Sequence, residues 1–161
     1  MSLLVLGIGN LLMGDEGVGL HVVKYIEEND LAPDVDCVDG GTGGFALLDY
    51  FRQYDHVVMV DATIDGKPSG TVTRITPRFS DDFPLTLTAH DIGLKDLLDA
   101  LYLLDQSPVI TLFTISLSDL GGLNLDLTPE IASAVPRAAK QVASFVHESS
   151  TAAASGGGLG T

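Results

Sequence analysis

An apolar run near the start of the chain, Leu3 to Ile8, leads without a break into a glycine-rich and acidic segment, Gly7 to Gly19. A run with no polar alternation is typical of a strand that is buried on both faces of a sheet. Beyond the loop, apolar residues recur at helical spacing at Val18, Val22, Val23 and Ile26. These features predict a β-loop-α unit whose strand lies in the middle of a sheet.

The same alternation of strand and helix patterns recurs along the chain. Further strands are predicted at about 35–38, 56–60, 71–76 and 109–116, and further helices at about 45–51, 91–104 and 128–146. The segment 71–76 alternates Thr or Arg with apolar residues, which predicts an antiparallel edge strand. The order of elements therefore predicts an α/β fold with a mostly parallel sheet covered by helices on both faces.

Composition limits the partners of this chain. With 161 residues, of which 45% are hydrophobic, it has enough apolar surface for one domain, predicted at 1–148. Ser, Thr, Ala and Gly dominate 149–161, which predicts a flexible tail. A formal net charge of -14 opposes binding to nucleic acid or anionic membranes. A single cysteine and no leader or membrane-spanning pattern predict a cytoplasmic protein.

Ligands of open α/β sheets bind where the loops after the strands converge, at the carboxyl ends of the strands. Acidic residues Asp15 and Glu16 follow the first strand, Asp61 ends the third, and His90 lies at a helix start. Two carboxylates and an imidazole that met there would bind a divalent metal and leave coordination positions open.

Each of these residues also has a structural interpretation, which the sequence leaves open. Asp15 can cap the following helix, and Glu16 can interact with the positive end of the same helix dipole. Asp61 can accept hydrogen bonds from the backbone of 62–64, and His90 can be an ordinary residue beside a capping Asp91. Only their joint occurrence favours a shared site.

Other candidate groups carry less weight. His21, His56 and His147 are expected to be structural, and Cys37 is expected to be a buried thiol without a neighbouring base. The first loop resembles a dinucleotide fingerprint, but Leu12 replaces the third glycine and acids follow where pyrophosphate would bind. The sequence therefore gives no support to nucleotide binding at this loop.

The motifs occur in an order that is specific when taken together: Gly7-Ile-Gly-Asn10, Gly14-Asp-Glu-Gly17, Asp39-Gly-Gly-Thr42, Asp61, and His90 followed by Gly93-Leu94. In this order, from about residue 3 to about residue 146, the chain resembles the hydrogenase maturation endopeptidases. The resemblance implies a three-layer α/β/α, phosphorylase/hydrolase-like fold around a twisted, five-stranded, mostly parallel sheet.

The resemblance also implies an activity. The implied protein is a monomeric, aspartyl-type endopeptidase that removes a short C-terminal peptide from the nickel-loaded large-subunit precursor of a nickel-iron hydrogenase. Glu16, Asp61 and His90 would contact the nickel, which the precursor supplies and which other divalent metals can replace. Asp39, Gly40, Gly41 and Thr42 would contact the substrate. The alternative is a nickel-sensing chaperone that binds the precursor without cutting it.

Overall fold

The computed structural model describes residues 2–41, 47–77, 99–105, 107–118 and 126–156. The strands are β1 (Leu3–Gly7), β2 (Asp36–Asp39), β3 (His56–Thr63), β4 (Val72–Ile75) and β5 (Val109–Ser116). The helices are a 3-10 turn (Gly14–Gly17), α1 (Val18–Glu28), α2 (Leu48–Gln53) and α3 (Pro129–Gly156). Residues 99–103 are also helical.

The strands form one five-stranded sheet in the order β2-β1-β3-β5-β4. β1, β2, β3 and β5 run parallel to one another, whereas the edge strand β4 runs antiparallel to β5. The predicted sheet, with one antiparallel edge strand, is therefore confirmed. β1 and β3 lie in the interior of the sheet, so the loops that follow these strands begin near the middle of its carboxyl edge.

Successive residues of the strands face opposite sides of the sheet and enter two separate cores. On one side, Val5 of β1 and Val58 of β3 pack with α1 and α3. On the other side, Leu4 and Met59 pack with α2 and the helical residues 99–103. This arrangement gives the predicted three layers, with a sheet buried between helices.

Some predicted boundaries differ from the structure. β3 continues beyond the predicted end at Val60, through Asp61 to Thr63, because its last residues pair with β5. α3 continues past the predicted end near Val146 to Gly156, so residues 149–156 of the predicted flexible tail are helical. Alanine-rich sequence extends an established helix easily, because propagation costs far less than nucleation. Residues 157–161 lie outside the described ranges.

The helices of the described residues include none that is long and apolar enough to cross a membrane. The predicted helix 91–104 is described only from residue 99 onward, where its last turn is helical. The predicted division into a catalytic domain, 1–148, and a tail stays a prediction.

Candidate functional site

Backbone hydrogen bonds join the loop after β1 to its neighbours on both sides. The amide of Ile8 donates to the carbonyl oxygen of Val60, within β3, at 2.9 Å. The amide of Gly9 donates to the carbonyl oxygen of Gly41, in the loop after β2, also at 2.9 Å. The first glycine-rich loop is therefore connected to β3 and to the loop after β2, near the carboxyl end of the sheet where the strand-end rule places ligand sites.

Two glycines allow the first loop and α1 to approach the sheet closely. A Cβ at Gly9 would lie 2.5 Å from the carbonyl oxygen of Glu16. A Cβ at Gly19 would lie 2.6 Å from the carbonyl oxygen of Ile8, and closer still to that of Val60. No side chain fits at such distances, so glycine lets the 3-10 turn and the start of α1 pack against the end of β3.

Glu16 and Asp61 are the two predicted metal contacts that the structure describes. Glu16 is 5% exposed within the 3-10 turn, and Asp61 is 1% exposed near the end of β3. The 3-10 turn contacts β3, so both carboxylates belong to the same end of the sheet. Buried carboxylates are rare unless they are paired, hydrogen-bonded or bound to a metal.

Asp61 also makes the local hydrogen bond that its structural interpretation requires, since its Oδ1 accepts from the amide of Ala62 at 2.7 Å. This bond fixes one oxygen of the carboxylate and is compatible with a metal contact through the group. His90 and Asp91 lie outside the described residues, and within the described part of the chain no three ligating side chains form a cluster. The predicted three-residue set therefore stays a prediction.

A row of buried polar residues surrounds Asp61 on one face of the sheet. By strand alternation Asp61 and Thr63 follow Met59 on the face of α2, and Thr114 and Ser116 follow Leu112 on the same face. Asp61 pairs in register with Thr114, and Thr63 with Ser116. Neither Thr114 nor Ser116 was predicted as a site residue, although polar residues at alternate positions of the predicted strand 109–116 were a signal in the sequence.

Asp15 does not cap the helix that follows it, so its structural interpretation as an N-cap is wrong. Neither the 3-10 turn nor α1 has a side-chain cap at its N-terminus. Instead, Asp15 Oδ1 accepts a hydrogen bond from the amide of Thr128 at 2.8 Å, and its Oδ2 accepts one from the Thr128 hydroxyl at 2.9 Å. Because α1 begins without a side-chain cap, the Asp15 carboxylate is available to hold Thr128 at the start of α3.

Replacing Asp15 by alanine is expected to lower the free energy of unfolding by about 1 to 2 kcal/mol, because two hydrogen bonds to a carboxylate are lost. The measurement is denaturant unfolding of both proteins, with Asp34→Ala, at an exposed aspartate, as the control. An Asp15→Ala variant as stable as the control would show that the contact with Thr128 contributes nothing.

The residues predicted to contact substrate lie beside the first loop. Asp39 ends β2, and its Oδ1 accepts a hydrogen bond from the amide of Gly41 at 2.9 Å. Gly41 has a φ of 54°, which favours glycine, and Thr42 lies outside the described residues. Asp39 also borders a groove of about 300 Å³ that is lined by α1 and by Leu11 of the first loop.

Two other histidines, His56 and His21, have environments that the structure describes. His56 begins β3 at the opposite end of the sheet, where its Nε2 is 2.9 Å from the hydroxyl of Thr111 and its ring packs edge-on against Phe145. Burial lowers the pKa of His56 and favours the neutral ring. His21 lies in α1 and faces the groove beside Asp39, and burial and the charge of Lys24 lower its pKa.

Cys37 lies in β2, and its environment suppresses the thiolate. Burial, together with the negative charges of Glu27 and Asp36, raises the pKa of the thiol to about 11. The thiolate is the nucleophilic form of cysteine, so at neutral pH this thiol is protonated and unreactive.

We therefore expect iodoacetamide to label Cys37 slowly at pH 7 and faster as the pH rises toward 11, because the thiolate fraction grows with pH. Labelling is followed by mass spectrometry of the intact protein. If the chain has the peptidase activity that the resemblance implies, Cys37→Ser should keep it in full. Loss of that activity in a folded Cys37→Ser variant would support a thiol mechanism instead.

The fold and the position of its carboxylates define a doubly wound α/β protein with an acidic site at the carboxyl end of the sheet. Residues 20–145 match the family model of the hydrogenase maturation proteases. The hydrogenase 2 maturation protease of Escherichia coli K12 is 33% identical over 156 residues, covering 92% of this chain and 93% of that protein. HupD of Thiocapsa roseopersicina, a hydrogenase expression/formation protein, is 34% identical over 154 residues, covering 89% of this chain and 69% of that protein.

Solved structures agree with these sequence relatives. The hydrogenase maturating endopeptidase HybD from Escherichia coli superposes with a TM-score of 0.82 at 31% identity, covering 92% of this chain and 94% of that one. The chain belongs to the hydrogenase maturation protease family, and the predicted resemblance is confirmed. It is therefore a hydrolase of the maturation-protease type.

Proposed function

We propose that this protein removes a short C-terminal peptide from the nickel-loaded large-subunit precursor of a nickel-iron hydrogenase. The observation that carries the proposal is the pair of buried carboxylates, Glu16 and Asp61, at one end of the sheet in a chain of the maturation-protease family. The relatives named hydrogenase 2 maturation protease and hydrogenase maturating endopeptidase support this substrate class.

Glu16 and Asp61, with His90, contact the nickel that the precursor carries. Carboxylate and imidazole are both accepted ligands of divalent first-row metals, so the residue types suit this role. Three protein contacts leave positions for ligands from the precursor, and the metal then acts as a checkpoint that admits only loaded precursor. Other divalent metals with similar ligand preferences can bind to the same three residues.

The reaction is hydrolysis of one peptide bond. A carboxylate of the pair accepts a proton from a water molecule, and the resulting oxygen nucleophile adds to the scissile carbonyl carbon. The carbon–nitrogen bond then breaks, and the departing amine takes up the proton that the carboxylate accepted from the water. This is an aspartyl-type, metal-gated mechanism. The protein carries it out as a monomer in the cytoplasm, a reducing compartment that suits its single free cysteine.

The second candidate is a chaperone that binds the loaded precursor without cutting it. One experiment separates the two: the protein is incubated with nickel-loaded and with nickel-free precursor, and the products are weighed by mass spectrometry. Peptidase activity predicts that a C-terminal peptide is released from the loaded form only. Stable binding of the loaded form with no loss of mass would support the chaperone and refute the peptidase.

A further inference from the structure

Thr114 of β5 combines deep burial with an unused polar group. Its side chain is 1% exposed, and its hydroxyl oxygen has no hydrogen-bond partner among the residues that the structure describes. A buried hydroxyl without a partner destabilises a folded protein, because the group loses its bonds to water and gains none in return. Valine would fill the same position with nearly the same shape and without a polar atom.

The location of Thr114 points to a role in the site. In the register of the parallel strands Thr114 pairs with Asp61, and both residues face the α2 side of the sheet. Neighbouring strands lie about 4.8 Å apart, so a hydroxyl on one strand can reach a carboxylate on the next. Thr114 is therefore the residue of β5 that lies opposite the carboxylate which the proposed function places on the nickel.

We propose that Thr114 is a positioning residue for Asp61. In the complex with the nickel-loaded precursor its hydroxyl donates a hydrogen bond to the Asp61 carboxylate and fixes the orientation in which that group contacts the metal. Metal-binding carboxylates are commonly oriented by such hydrogen bonds, and catalytic hydrogen bonds often form only when substrate is bound. The inference rests on the proposed function.

Thr111 of the same strand is a matched control. It is 2% exposed and faces the opposite side of the sheet, where its hydroxyl is 2.9 Å from the Nε2 of His56. The two threonines lie in the same strand and are almost equally buried. They differ in that the hydroxyl of Thr111 has a hydrogen-bond partner among the described residues and that of Thr114 has none. Valine should therefore impair cleavage without destabilising the protein at position 114, and destabilise the protein without impairing cleavage at position 111.

The test compares wild type, Thr114→Val, Thr114→Ser and Thr111→Val in cleavage of the nickel-loaded precursor and in thermal unfolding. We expect Thr114→Val to lower kcat about 10- to 100-fold with a melting temperature equal to or above that of wild type. Thr114→Ser, which keeps a hydroxyl, should restore most of the rate. Thr111→Val should melt at a lower temperature and cleave at the wild-type rate.

Three results would overturn the inference. Wild-type kcat in Thr114→Val would show that the hydroxyl does nothing for Asp61 while leaving the proposed function intact. A fall in melting temperature of Thr114→Val that matches its loss of cleavage would assign Thr114 a structural role only. A wild-type protein that releases no peptide would refute the proposed function, and the positioning role together with it.

Discussion

Asp61→Asn should reduce cleavage of the nickel-loaded precursor by about 100-fold or more while the protein stays folded. The amide cannot accept a proton from water and is a poor metal ligand, and losing a positioned general base typically costs this much in rate. The fold is retained because the Oδ1 of asparagine can still accept the hydrogen bond from Ala62. Removing a charge from a site that is 1% exposed also lowers the cost of burying the side chain.

The measurement is the rate of peptide release by mass spectrometry, with circular dichroism and a thermal melt for each protein. Glu16→Gln should behave in the same way, since Glu16 is likewise buried at this end of the sheet. Glu28→Gln, at an exposed end of α1, serves as a control and should cleave normally. If Asp61→Asn or Glu16→Gln unfolds, the structural interpretation of that carboxylate gains support; normal cleavage by both variants would contradict the proposed site.

Gly19→Ala should have the second large effect, on both stability and activity. Alanine is a better helix residue than glycine by about 1 kcal/mol, which favours the substitution within α1. The added Cβ, however, would meet the carbonyl oxygens of Ile8 and Val60, which are backbone atoms and cannot rotate away. Overpacking of this kind costs about 3 kcal/mol, so the clash outweighs the helix propensity.

We therefore expect Gly19→Ala to lower the free energy of unfolding and to slow cleavage, because α1 must move away from β3 and take Glu16 with it. Denaturant unfolding and the precursor assay measure the two effects. The control is Gly66→Ala, where the new Cβ meets no atom within 4 Å but the φ of 78° disfavours alanine. Only a loss of about 1 kcal/mol is expected there. Equal stability losses in the two variants would contradict the close packing of α1 on the sheet.

The sequence predicted the sheet well because its strands are strongly patterned. The continuous apolar runs of β1 and β3 and the alternation in β4 each have one simple interpretation, and the structure has all three strands. The extension of β3 through Asp61 could not be read from hydrophobicity, since polar residues there are buried by pairing with β5. Strand ends depend on partners that are distant in sequence.

The site was predicted only in part for the same reason. The strand-end rule selected Glu16 and Asp61, which both lie buried at the carboxyl end of the sheet. Asp15 was instead interpreted as a local helix cap, because a sequence shows neighbours along the chain and does not show that Thr128 comes within hydrogen-bonding distance. Thr114 was missed because its importance depends on a strand register that only tertiary structure defines.

The contact between Asp15 and Thr128 joins residues that are 113 positions apart, and this has a consequence for biosynthesis. The acidic loop is translated before the rest of the sheet, whereas its anchor, Thr128, is translated after β5. A nascent chain that stops before Thr128 contains Asp15 but lacks the two bonds that tether the acidic loop to the start of α3. The acidic loop therefore gains this tether only after every strand of the described sheet has been translated.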